Sequence, residues 1–341
     1  MENRGNSSLI YDILVASYLI LMVLYERCSN MAELRNPLEA RWNSPFDHSI
    51  AFRVFNQHFT ELNRMYWAYA PAATKTEKEV KKLMKEDPSK KPIDYLVVHD
   101  EDDRRLENDF IEWKEWYRKF QNYNRLNMLV SLSSCLEVYM RTIVSCAIES
   151  KPGALIGVCS AVDGVSLLKA DSSKYKVGTW KYPYSRQVNM ICQGTWADRI
   201  RNYRILFGRV PKYIEDKQSE LDRLRNLRNN IAHNYGRRRP HEDSSVPTFD
   251  AMPSESISHE KLIKYMQLVY DTVQAIEEHL YKEYIGSYEI IKHYIMFCPS
   301  RIKRDVKAER VRWLSWAIGS NGLKNVGKRY YTDLIEYIER V

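Results

Sequence analysis

The residues with the most chemical potential lie together in Arg228-Asn229-Asn230-Ile231-Ala232-His233-Asn234-Tyr235. An arginine presents a permanent, planar, forked cation. It can grip a phosphate at two oxygens and stabilise charge that builds there. An imidazole titrates near neutral pH, so it can take a proton from one oxygen and hand one to another. Arg228 and His233 stand five residues apart, and Asn229 stands four residues before the histidine, which makes it a candidate to orient that ring on a helix. Arg237, Arg238 and Arg239 follow at once, and Arg223 and Arg225 precede. Such a cluster can seat a polyanionic backbone, or it can be a solvated, dipole-favoured helix end. The eight histidines show no His-Glu-x-x-His spacing, the six cysteines form no Cys-x-x-Cys pair, and there is no Gly-rich phosphate loop. The sequence therefore gives no support for a metal site or a cofactor.

These residues need a scaffold. Periodicity predicts a helix from about Tyr213 to a stop at Gly236. At about 100° per residue, Leu221, Leu224, Leu227, Ile231 and Tyr235 share one arc, while Asp222, Asn226, Asn229 and His233 lie nearly opposite. Arg228 falls inside the apolar arc beside Leu224. A guanidinium there needs a partner, because a buried unpaired charge is costly. Glu137, on a helix predicted over Asn124–Glu149, is a candidate, and so is a second protomer. Arg228 and His233 point about 140° apart on an ideal helix. One helix alone does not aim both at a single phosphate. Distortion near Gly236, or residues contributed across a two-fold interface, would be required.

The chain of 341 residues is 44% apolar and 28% charged, ordinary globular usage, and its net charge of +8 favours a polyanionic partner without establishing one. Helical stripes recur throughout: Phe110, Trp113, Trp116 and Phe120; Leu126, Leu129, Leu132, Leu136, Met140, Ile143 and Ala147; the amphipathic run Trp196–Phe207; and Ile263, Met266, Val269, Val273, Ile276 and Leu280. No strand alternation or internal repeat competes, so the chain reads as all-α. Residues 71–104, with Pro71, Pro88, Pro92, dense lysines and an acidic run, read as a solvated connection or short surface helix, and 175–184 as a loop or hairpin. We divide the chain into an N-terminal helical segment with charged linker (1–104), a helical bundle (105–285) and a basic helical extension (286–341). In that extension, basic residues interleave with Trp313 and Trp316, a weak single-stranded RNA signal. The apolar run 9–25 is short of roughly 20 residues and carries Asp12, so we read it as a core or subunit-contact helix, with no membrane expected. The cysteines read as reduced thiols of a cytoplasmic protein.

The Arg-x-x-x-x-His pattern with a polar residue after the arginine resembles the motif of HEPN-domain ribonucleases, and Tyr235 completes the Arg-x-x-x-x-His-x-Tyr form of HepT-type toxins. Ser133-Ser134-Cys135-Leu136-Glu137-Val138-Tyr139 and Trp196–Gly208 resemble flanking helices of that family. The resemblance covers roughly residues 105–285. It implies a HEPN-like up-down bundle with additional N- and C-terminal helices, and a homodimer whose motif helices face each other. It also implies metal-independent endoribonuclease activity on RNA, with Arg228, His233 and Asn229 catalytic and Arg225, Arg237, Arg238 and Arg239 binding substrate. The setting it implies is a toxin or antiphage-defence effector with an antitoxin or defence-system partner. Two alternatives stay open: a catalytically inactive scaffold that binds RNA, and a toxin silenced by adenylylation of Tyr235.

Overall fold

The computed structural model describes residues 39–96, 105–156, 164–165, 184–234, 237, 253–302, 306–324 and 326–341. Every regular element among them is helical. In chain order these are α1 (Glu39–Trp42), α2 (Ile50–Glu86), α3 (Phe110–Ser150), α4 (Ser185–Cys192), α5 (Trp196–Phe207), α6 (Lys212–Asp216), α7 (Gln218–Asn234), α8 (His259–Leu280), α9 (Tyr288–Phe297), α10 (Lys307–Ser320) and α11 (Lys328–Arg340). Short 3-10 turns occupy Pro92–Asp94 and Pro152–Ile156, and a π-helical turn, Tyr281–Ile285, follows α8. The 9–25 run, the acidic run 100–103 and most of the 175–184 stretch lie outside the described residues.

Three element boundaries differ from the sequence expectation. Helix α2 does not stop at Pro71 but continues to Glu86. A proline removes one intrahelical bond. Beyond it, the i,i+4 pairs Lys75–Glu79, Lys81–Glu77 and Lys82–Glu86 add local support that a loop reading overlooks. Next, the two helices expected over 110–120 and 124–149 are one 41-residue helix, α3, because Gln121-Asn122-Tyr123 contains nothing that breaks one. Finally, the motif helix does not run unbroken from Tyr213. It is interrupted at Lys217 (φ −102°, ψ 9°), and α7 begins at Gln218.

The chain forms two compact units, each assembled from separated segments: unit 1 from 1–49, 144–186 and 279–341, and unit 2 from 50–143 and 187–278. In unit 2, α2, α3 and α8 pack through Phe55, Phe59, Tyr139 and Tyr270, with Phe55–Tyr139 and Phe59–Tyr270 ring centroids 5.6 and 5.2 Å apart. Leu129, Leu132, Leu136 and Ile143 of α3, and Met266, Val269, Val273 and Ile276 of α8, are buried as their stripes require. Tyr139 Oη donates to Glu277 Oε2 at 2.8 Å and so satisfies a buried carboxylate.

Unit 1 is organised around Arg41, whose side chain is fully buried. Its Nη1 donates to the Ile285 carbonyl and its Nη2 to Ser150 Oγ, both at 2.6 Å. Ser287 N donates back to the Arg41 carbonyl at 3.0 Å. Gly286 makes this close approach possible: its φ is +53°, and a Cβ placed there would lie 2.5 Å from the Arg41 carbonyl oxygen. Helices α10 and α11 complete the unit, with Leu314, Tyr331, Leu334 and Ile335 fully buried.

Candidate active site

The motif occupies the last two turns of α7, whose earlier turns fix it in unit 2. Leu221 is fully buried and Leu224 nearly so. Truncating either to Ala would cost about 2–5 kcal/mol. Asp222 was expected on the solvent side. Instead its Oδ1 accepts from Trp196 N at 3.0 Å, at the first turn of α5, where unpaired N–H groups and the helix dipole favour a carboxylate. Thr195 caps that same helix, its hydroxyl accepting from Asp198 N at 3.2 Å, and Gly208 (φ +76°) ends it. The anchored half of α7 thus holds the motif half in place.

Towards the motif the packing thins. Leu227, Arg228, Asn229, Asn230 and Ile231 are half-buried, and Ala232 and His233 are exposed. Arg228 Nη2 donates to Glu137 Oε2 at 2.6 Å, joining α7 to α3. This is the intra-domain partner that burial arithmetic on the sequence points to. The Arg228 side chain keeps 24% of its surface open and that of Glu137 36%, so the pair is shared between protein and water. Arg228, Glu137, Trp196, Arg199 and Leu224 line a recess of about 20 Å³, room for no more than a water molecule. Any phosphate must therefore reach Arg228 from the open side.

Asn229 departs from its expected contact. Its Oδ1 accepts from Arg228 Nη1 at 3.0 Å. The long arginine side chain bends to its neighbour and takes up the amide oxygen expected to orient His233. Asn229 and Glu137 together hold the two terminal nitrogens of one guanidinium, Nη1 and Nη2. His233 has no hydrogen-bond or ion-pair partner among the described residues, and α7 is helical through Asn234, so its ring stays about 140° round the helix from Arg228.

Of the expected substrate-binding arginines, Arg225 is engaged internally, Nε to Asp222 Oδ1 at 3.2 Å and Nη2 to Asn226 Oδ1 at 2.9 Å. Arg237 is exposed and forms an isolated antiparallel bridge with Ser254, so the polar loop leaves and returns at one point. Arg238, Arg239 and Tyr235 lie outside the described residues. Sequence reading missed several groups that shape the site. Arg199, almost fully buried, donates from Nε to the Gly194 carbonyl at 3.2 Å and lies over the Trp196 ring. Burial pushes its pKa down, against which the nearby Glu137 carboxylate pulls upward. Asn122 and Arg125 of α3 bind the returning loop at Glu255 and Ile257. Spacing gives no signal for these contacts, since they join segments more than 130 residues apart. The described cysteines Cys135, Cys146, Cys192 and Cys298 are not joined in disulfides; burial raises the first three, Cys192 to about 11.

The arrangement supplies a braced cation open on one side and, near a helix end, an exposed imidazole without a partner among the described residues. Comparison with known proteins agrees with the helical bundle. A family model described as RiboL-PSP-HEPN matches residues 101–282, a span that contains α3 to α8 and the whole motif. No curated protein and no solved structure matches. With that match extending over more than half its length, the chain belongs to the RiboL-PSP-HEPN family.

Proposed function

We propose that this protein is a metal-independent endoribonuclease of the HEPN type. The observation that carries the reading is an exposed His233, without a partner among the described residues, on the same helix as an Arg228 that Glu137 and Asn229 hold while leaving it open to solvent. RNA brings its own nucleophile. The 2′-oxygen attacks the adjacent phosphorus, the P–O5′ bond breaks, and a 2′,3′-cyclic phosphate and a 5′-hydroxyl result. An imidazole takes the 2′ proton or delivers one to the departing 5′-oxygen. Arg228 binds the non-bridging oxygens and stabilises their charge in the transition state. Asn229 serves by fixing Arg228. Because the two side chains diverge round one helix, the working site takes Arg228 and His233 from a pair of α7 helices, in a homodimer. A toxin or antiphage effector, held by an antitoxin or defence partner until triggered, is the setting that suits such an activity.

The test is direct. Purified wild-type protein, Arg228→Ala and His233→Ala are incubated with total RNA in EDTA, and fragment ends are mapped. Cleavage by wild type alone, leaving cyclic-phosphate ends, is expected. Cleavage that survives in His233→Ala, or an inert wild type, would overturn the reading; the inert case would favour an RNA-binding scaffold.

A further inference from the structure

Arg199 is a charged group at the site to which the ribonuclease reading assigns no task. It stands near the start of α5, three residues after Trp196, and its guanidinium lies over that indole, 5.0 Å from the ring centroid. Its Nε donates to the Gly194 carbonyl at 3.2 Å, and only 5% of the residue is exposed. Among the described residues no carboxylate forms an ion pair with it. Burying a guanidinium is costly, and an apolar side chain of similar volume would fill the same space without that cost. A cation held by one carbonyl and one ring is therefore placed for its charge rather than for its packing.

That charge faces Glu137. Arg199, Glu137, Arg225 and Arg228 line the same recess of about 20 Å³. Arg228 Nη2 donates to Glu137 Oε2 at 2.6 Å, and Arg225 Nε donates to Asp222 Oδ1 at 3.2 Å, so each of these pairs is neutral. Arg199 is the third guanidinium against two carboxylates and leaves this cluster with one excess positive charge. Burial disfavours the charged form of Arg199, and Glu137 is the largest influence opposing it. The consequence falls on Arg228. A phosphodiester is an anion, and the guanidinium it approaches already carries a carboxylate. With Arg228 and Glu137 alone, attraction to one is largely cancelled by repulsion from the other. A cation on the buried side of the carboxylate offsets that repulsion, and a recess with room for no more than one water molecule screens it poorly.

The geometry points to Arg199 as a positioning residue: it balances Glu137 from the buried side, so that Glu137 braces Arg228 while Arg228 still attracts the scissile phosphate. Arg199 itself touches neither substrate nor reacting atoms. The inference rests on the ribonuclease reading for the identity of the anion. A purely mechanical Arg199, tying α5 to the Gly194 carbonyl, makes a different prediction. Its loss would harm the site whether or not Glu137 is charged, whereas a balancing charge becomes dispensable once the charge it balances is removed.

The test compares Arg199→Met, Arg199→Lys, Glu137→Gln and the double variant Arg199→Met, Glu137→Gln in the full chain. Inorganic phosphate is titrated at constant ionic strength and followed at the Arg228 Nε–H resonance of isotope-labelled protein, assigned by its loss in Arg228→Ala. Arg199→Met should weaken phosphate about fivefold or more, Glu137→Gln should tighten it by a similar factor, and the double variant should return to within about twofold of wild type. Arg199→Lys, which keeps the charge, should stay close to wild type. In cleavage of a short RNA in EDTA, Arg199→Met should raise KM about fivefold or more and leave kcat within about threefold, the pattern of an attraction felt equally by ground state and transition state. Folding is checked by circular dichroism. If Arg199→Met does not fold, the double variant against Glu137→Gln isolates the same charge, and phosphate should again bind about fivefold more weakly without it. A double variant no better than Arg199→Met, phosphate weakened by Glu137→Gln, or indifference to Arg199→Met overturns the proposal. An inert wild type whose phosphate affinity still follows the expected order refutes cleavage and upholds the charge balance, so the two failures are distinguishable.

Discussion

Replacing Glu137 with Gln removes the charge opposite Arg228 while keeping an acceptor oxygen, and the structure sets the size of the effect. The Nη2–Oε2 contact is 2.6 Å, just under the roughly 2.7–2.9 Å usual for a charge-assisted N–H···O bond. Fully exposed ion pairs contribute about 0.2–1 kcal/mol, and stranding one member of a buried pair costs about 3–5 kcal/mol. With side chains 24% and 36% exposed, this pair lies between those limits, and water relieves the guanidinium once the carboxylate is gone. A coupling of about 1–2 kcal/mol follows. Glu137 also acts on the buried Arg199, so the single variant alone overstates the pair. A double-mutant cycle removes that contribution, because it is common to both backgrounds. Glu137→Gln is therefore compared in wild type and in Arg228→Ala by urea unfolding followed at 222 nm. The loss should be larger in the wild-type background by about 1–2 kcal/mol. Equal losses in the two backgrounds would mean that Arg228 is not braced by Glu137 in solution, and the account of the site would fall with it.

Three further outcomes are expected. Gly286→Ala meets both a positive φ and a carbonyl 2.5 Å from the new methyl, so a loss of at least about 1–3 kcal/mol should appear as a clearly lowered melting temperature; an unchanged one would refute the close approach. Burial holds the His293 imidazole below its ordinary value, so the unfolded chain binds the proton more readily. Stability contributed by the neutral ring should then be present above about pH 6.5 and decline as pH falls below it, and His293→Gln should flatten that slope in unfolding measured from pH 7.5 to 5. With its thiol raised to about 11, Cys192 should resist iodoacetamide at pH 8 in the native protein and react on unfolding. Rapid native alkylation, located by peptide mass, would contradict its burial.

Much of the fold was legible because apolar residues at helical spacing have to face a core. The stripe from Leu126 to Ala147 on α3 is buried throughout and that on α8 all but Ile263, whereas Trp116 and Phe120, expected on an inward face at the start of α3, are exposed. Boundaries were less legible, since proline and dense lysine argue for a loop while i,i+4 charge pairs along Lys75–Glu86 hold a helix together. The Arg228–Glu137 contact could be anticipated, as a guanidinium in an apolar arc demands a carboxylate and Glu137 stands on a neighbouring helix. The Asn229 contact could not. Helix-wheel adjacency pairs it with His233, whereas the reach of the arginine side chain lets its own neighbour compete. Asp222 with Trp196 and Arg125 with Ile257 join separate helices and segments, and no local pattern announces them. The composition of unit 1 from three separated segments was equally hidden.

The tie between Arg41 and Ile285 spans 244 positions. A ribosome adding about 5–20 residues each second needs roughly 12–50 s to cover that distance. Throughout that interval the guanidinium has no carbonyl at Ile285 to receive it, and the seat it will occupy does not yet exist. Nascent chains must therefore carry the Arg41 segment unhoused until Ile285 has been added, which makes this stretch a natural client for holding chaperones and a point where synthesis stalled between the two would leave an incomplete, quickly degraded product.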